Sequence, residues 1–201
     1  MGTLAYFLHR VGSVLLLLFV IILIVITSLH HDKTFSTIPV AQEITLDNTY
    51  TPPIHEVLPT LDFSSKQQEV ILFAYHKGEP LGLGYTLAAI AIQESCAGRT
   101  PINVDDPAFG IFHNLLSSVI DRENLSPTLA NRNMIATRLL FNRDYAANQA
   151  IAELLYWSNR YKGKHLQWSK MVMSYNAGTK YTNGANYLRA IKKHIKLLKG
   201  Q

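Results

Sequence analysis

The sequence predicts a predominantly α-helical domain behind an N-terminal transmembrane helix. Three observations predict it. Val11–Leu29 carries no charge and is almost entirely Leu, Ile, Val and Phe. From Ser64 onward, apolar residues recur at helical spacing between capping residues and glycines. No strongly alternating run, the mark of a half-buried strand, interrupts them, and no internal repeat is present.

The elements follow in chain order. Val11–Leu29 makes about 28 Å of helix at ~1.5 Å per residue, against a hydrocarbon core about 30 Å thick. Arg10 and the N-terminal amine precede the run, and no acid occurs before Asp32. That asymmetry places the N-terminus in the cytoplasm and the remainder on the periplasmic or extracytoplasmic side. The exit Ile26-Thr27-Ser28-Leu29-His30-His31 lacks an Ala-x-Ala pattern, so residues 1–31 read as an uncleaved anchor. Secretion after signal cleavage is the alternative. Residues 32–62, with Pro39, Pro52, Pro53 and Pro59, read as an extended linker, and residues 63–201 as the domain.

Within the domain, Ser64 or Ser65 caps a helix through Glu69, Val70, Leu72, Phe73 and Tyr75, stopped at Gly78 and Pro80. A second helix ends near Glu94-Ser95, with Gly98 at its C′ position. Residues 99–113 are loop-like. Helical periodicity returns at 114–122, 128–141, 144–160 and 166–176. The last helix, 184–199, carries Tyr187, Leu188, Ile191, Ile195 and Leu198 on one side. Lys192, Lys193, Lys196 and Lys199 occupy the other.

Composition excludes several classes. The net charge of +5 is mild and is no nucleic-acid signature. The single cysteine, Cys96, excludes an internal disulfide framework. There is no His-Glu-x-x-His and no Cys cluster, and His55, His76, His165 and His194 are isolated, so no metal site is expected. No phosphate-binding glycine loop is present. The basic face of 189–199 reads as solvated, with contact to anionic lipid or wall polymer as the alternative.

Glu94 is the residue with chemical promise. Its helix, Thr86-Leu87-Ala88-Ala89-Ile90-Ala91-Ile92-Gln93-Glu94-Ser95, is apolar all round and therefore expected to be buried. Leu87, Ile90 and Ala91 share its face. A carboxyl there, at the negative end of the helix dipole, is expected to stay protonated near neutral pH and act as a proton donor.

Three segments belong together: Gln93-Glu94-Ser95, Phe109-Gly110-Ile111-Phe112-His113 and Met173-Ser174-Tyr175-Asn176-Ala177-Gly178. In order and approximate spacing they resemble the lytic transglycosylases of the lysozyme-like superfamily. That family has a Glu-Ser pair ending a buried helix, then a Gly-Leu-Met-Gln-like segment, then an Ala-Tyr-Asn-Ala-Gly-like one. The segment Tyr145–Leu155 also resembles the family's preceding helix, and the likeness spans roughly 65–195. His113 departs from the pattern by standing where the family has a side-chain amide.

The resemblance implies a lysozyme-like helical fold and cleavage of the peptidoglycan glycan strand between N-acetylmuramic acid and N-acetylglucosamine. It implies Glu94 as the single general acid and base, closure of a 1,6-anhydro ring, and no cofactor. It also implies a substrate-binding set of Ser95, Gly110, Ile111, His113, Tyr175, Asn176 and Tyr187. Plainer readings stand beside it. Tyr175–Gly178 also suits a helix C-cap, Tyr187 a core position, and Ser95 a hydroxyl that satisfies a backbone carbonyl. Two other functions are open: a hydrolytic lysozyme on the same fold, with Asp105 or Asp106 as second carboxylate, and a non-catalytic wall-binding or assembly protein. The same features suit wall turnover, a secretion machine or a phage particle; the protein partners are unknown.

Overall fold

The structure, a computed structural model, describes residues 52–201. The expected membrane span, residues 11–29, lies outside the described residues. Among those described, no helix is long and apolar enough to cross a membrane.

The described chain is predominantly helical. It starts earlier than expected. Helix α1 (Ile54–Val57) and a 3-10 turn (Leu58–Thr60) occupy the end of the segment expected to be an extended linker. Ile54, Val57 and Leu58 are buried in the core. The prolines that suggested a linker sit where helices accept them: Pro53 is the N-cap of α1, and Pro59 lies in the first turn of the 3-10 segment.

Helix α2 (Ser65–Gly78) opens with a capping box between Ser64 and Gln67. It packs along α3 (Gly84–Ser95), the central helix, in which nine of twelve residues are buried. Close packing at the α2–α3 corner requires glycine. A Cβ on Gly78 would lie 2.6 Å from the carbonyl oxygen of Leu83. Helix α3 ends abruptly: Cys96, Ala97 and Gly98 all have positive φ (50, 54 and 85°). The amide of Ala97 returns to the Ala91 carbonyl, so the left-handed turn satisfies the helix end.

The stretch expected to be loop holds a small antiparallel meander, β1 (Ile102–Asn103), β2 (Ala108–Phe109) and β3 (Asn114–Leu115). Ile102 pairs with Phe109, and Phe109 with Asn114. Strands of two residues are too short to carry a detectable alternation.

Five helices follow: α4 (Leu116–Arg122), α5 (Leu129–Phe141), α6 (Arg143–Arg160), α7 (Gln167–Ala177) and α8 (Ala185–Leu198). Thr128 and Asn142 cap α5 and α6 with side-chain hydrogen bonds. Helix α8 packs on α3, as α2 does, and buries Tyr187, Ile191, Ile195 and Leu198. One hydrophobic cluster runs from Ile54 to Leu198. Inside it, the Trp168 indole N–H donates to the Thr86 hydroxyl at 3.1 Å, so the polar atoms of this buried pair are matched.

Candidate active site around Glu94

Glu94 occupies the last turn of α3. Its side chain is 17% exposed, so the carboxyl reaches solvent while its helix is buried on nearly all sides. Both carboxyl oxygens have neighbours. The Tyr187 hydroxyl, from the first turn of α8, donates to Oε1 at 2.5 Å. The imidazole Nδ1 of His113 lies 3.5 Å from Oε2. The other ring nitrogen, Nε2, lies 2.7 Å from the Thr100 carbonyl. Tyr175 reaches the same neighbourhood from α7 and donates its hydroxyl to the Phe112 carbonyl at 2.9 Å.

Burial, followed by the nearby Glu94 charge, holds the Tyr187 and Tyr175 phenols well above the usual tyrosine range. Both remain neutral donors at any working pH. For His113, burial by itself lowers the pKa. The contact with Glu94, the Thr100 carbonyl and the Glu94 charge outweigh it, and the net shift is upward.

The other expected site residues divide into two groups. Tyr175, Asn176 and His113 line one cleft, whose lining does not include Glu94 or Tyr187. Asn114, Ser118, Arg122, Glu153 and Trp157 line it with them. Ser95 does not face it. It is fully buried, and its hydroxyl is engaged three ways: with the Ile111 carbonyl at 2.8 Å, the Ala91 carbonyl at 3.1 Å and the Gly98 amide at 2.8 Å. Ser95 therefore ties the end of α3 to the 110–113 segment. Ile111 is buried at the other end of that tie. Gly110 is buried as well, at φ 82°, and a Cβ there would collide with the Leu139 carbonyl. Ser95, Gly110 and Ile111 thus support the site rather than line the cleft.

Asp105 and Asp106 sit in the exposed turn between β1 and β2, where the Asp105 amide donates to Asn103 Oδ1. His194, isolated in sequence, packs beside Gln93 with Nε2 3.2 Å from Oε1. Burial and then the Lys193 charge push its pKa down, so it is neutral near pH 7. Among the described residues, no group of three or more His, Cys, Asp or Glu side chains could hold a metal ion.

The cleft also contains a polar network that sequence reasoning missed. Arg122 pairs with Glu153 and donates to Gln149 Oε1 at 2.6 Å. The Trp157 indole donates to Glu153 Oε1 at 2.6 Å. Glu153 lies within the Tyr145–Leu155 segment singled out above, but nothing in the spacing of that segment announces a partner on α4.

No protein-family model, no curated protein and no solved structure matches this chain.

Proposed function

We propose that the protein is a peptidoglycan lytic transglycosylase, a lysozyme-like domain held outside the cytoplasm by the N-terminal anchor. The observation that carries this reading is the convergence on one carboxyl of side chains from two other segments. Glu94 comes from the end of α3, His113 from the loop after β2, and Tyr187 from α8. Tyr175 from α7 joins them.

The chemistry needs one carboxyl. Glu94 in its acid form protonates the glycosidic oxygen between N-acetylmuramic acid and N-acetylglucosamine. The resulting carboxylate then takes the proton of the muramyl 6-hydroxyl, which attacks the anomeric carbon and closes the 1,6-anhydro ring. Water is not consumed, so no second carboxylate is required to activate it, in contrast to the usual pair of a glycosidase. Tyr187 holds the Glu94 carboxyl in one orientation, which keeps the donor aligned with the bond it cleaves. The residues proposed to contact substrate are His113, Tyr175 and Asn176, which line the cleft beside Glu94, with no cofactor.

The test is Glu94→Gln. Purified full-length protein is expected to clear peptidoglycan in a zymogram and release fragments ending in 1,6-anhydro-muramic acid. The variant is expected to lose about 10²–10⁴-fold in rate, the range for removing a general acid, with its helical circular dichroism intact. Cleavage by the variant within a few-fold of the parent would overturn the assignment. Wall binding without cleavage by the parent would leave the non-catalytic reading.

A further inference from the structure

Two contacts of His113 define where its protons go. Nε2 faces the Thr100 carbonyl at 2.7 Å, and a carbonyl only accepts. Nε2 therefore carries a hydrogen in either protonation state. Nδ1 faces Glu94 Oε2. In the neutral ring Nδ1 is a bare lone pair, and only a protonated Glu94 can hydrogen-bond to it. In the imidazolium Nδ1 donates, and the partner is the carboxylate. The 3.5 Å separation suits an ion pair and is long for a hydrogen bond. Catalytic contacts of this kind often tighten when substrate binds.

The ring is held in place for this contact. His113 has φ 44°, a left-handed backbone that a residue with a Cβ adopts at some cost. The turn is held by its own amide to the Gly110 carbonyl and by the buried Asn114 side chain bonded to the Ala146 carbonyl at 3.1 Å. Strained backbone next to a reactive carboxyl is where functional geometry tends to be stored.

We infer that His113 is a positioning residue that holds one proton in common with Glu94 across the contact of Nδ1 with Oε2. The inference rests on the transglycosylase reading only for its kinetic consequence. The one-proton pair has two forms, imidazolium with carboxylate and imidazole with carboxylic acid. The second gives its proton to the leaving oxygen. The muramyl hydroxyl then returns a proton to the carboxylate, and the pair is restored without a proton from solvent.

The titratable groups around the pair are neutral or mutually compensated. Tyr187 from α8 and Tyr175 from α7 stay neutral. His194, also from α8, is neutral near pH 7. Across the cleft, Arg122 of α4 and Glu153 of α6 neutralise each other. The upward shift of His113 agrees with a proton kept between the two side chains.

The test is a nuclear magnetic resonance titration of the imidazoles in histidine-labelled full-length protein, with His113 identified by the signal lost in His113→Gln. The parent is expected to titrate above the ordinary value of about 6.5. In Glu94→Gln, burial, the largest cause, is opposed only by the Thr100 carbonyl, so His113 is expected to titrate below that value. The second arm is the pH profile of glycan cleavage. Normalised to its own maximum, His113→Gln is expected to lose its alkaline limb about one pH unit or more to the acid side, a tenfold relative loss at the affected pH. Unchanged titration of His113 in Glu94→Gln would refute the shared proton. Superposable normalised profiles would refute its kinetic consequence. If the parent cleaves no glycan, the transglycosylase reading fails, and the titration alone still decides the pairing. If His113→Gln does not fold, through-bond correlation of the imidazole to the His113 backbone amide supplies the assignment, and the titration decides.

Discussion

Replacing Ser95 with alanine separates its two possible roles. If Ser95 touched substrate, Ser95→Ala would weaken binding and spare the fold. The structure predicts the reverse. The hydroxyl is fully buried, accepts from the Gly98 amide at 2.8 Å and bonds the Ile111 carbonyl at the same distance. The Ala91 carbonyl keeps the Ala97 amide as a partner after the change, so two groups are orphaned. Each buried, unsatisfied polar group costs about 1–3 kcal/mol. The Gly98 amide is partly accessible, and water replaces some of its lost bond. The expected destabilisation is therefore about 2–4 kcal/mol. With a urea slope of about 2 kcal/mol per molar, the middle of the usual range, the unfolding midpoint should fall by roughly 1–2 M. The assay is urea unfolding of full-length parent and variant, followed by far-UV circular dichroism. The tie also fixes the 110–113 segment that carries His113, so the folded variant should lose turnover as well. A stability within about 0.5 kcal/mol of the parent, the scale of a surface substitution, would refute the reasoning. Loss of glycan affinity alongside it would return Ser95 to the substrate.

Three further expectations rest on the same geometry. Tyr187→Phe keeps the ring in its buried place on α8 and deletes the hydroxyl on Glu94 Oε1. A hydrogen bond to a charged group is worth about 1.5–3 kcal/mol, so glycan cleavage should fall about tenfold or more while the melting temperature changes little. Equal activity in steady-state assays would show that the phenol does not orient the acid. Gly110→Ala forces a left-handed alanine, about 1–2 kcal/mol, and drives its Cβ into the Leu139 carbonyl, about 1–3 kcal/mol more. Calorimetry should show a melting point lower by roughly 5–15 °C, and an unchanged one would contradict the close approach. Asp105→Asn and Asp106→Asn, in the exposed β1–β2 turn, should each retain most activity, with 1,6-anhydro ends still the main product by mass spectrometry. Reducing-end muramic acid as the main product, with either variant inactive, would favour the hydrolytic mechanism.

The helices were legible because their signals are local. Ser64 with Gln67 makes a complete capping box, and Thr128 caps α5 one residue before its first turn. The period of α8 sorts its apolar and lysine faces without help from any neighbour. The α1 segment was missed for a local reason too: prolines that open helices were read as prolines of a linker. Glu94 was legible from the all-apolar character of α3. The orientation of Ser95 was not, because the groups that claim its hydroxyl lie on both sides of a turn whose shape no residue type declares. Cys96 and Ala97 adopt positive φ without being glycine. The Arg122–Glu153 pair joins α4 to α6 across the cleft, and no spacing within either helix implies the other.

That unannounced turn explains how so much of the site is assembled by a short piece of chain. A helix with nine buried residues in twelve gives the acid a rigid backing. Three consecutive left-handed residues then stop the helix and reverse the chain, which brings the Thr100 carbonyl back to His113 Nε2 and the Ile111 carbonyl to Ser95. One reversal thereby sets the acid, its imidazole neighbour and the tie between them. The tyrosines arrive from distant sequence, and each ends in one directed hydrogen bond: Tyr187 to the acid itself, Tyr175 to the loop beside it. Displacement of α7 or α8 would therefore remove an orienting contact and leave the Glu94–His113 pair in place. Relaxation of the 96–98 turn would disperse the pair. The chemistry proposed here depends first on the way α3 ends, and only second on the helices that close over it.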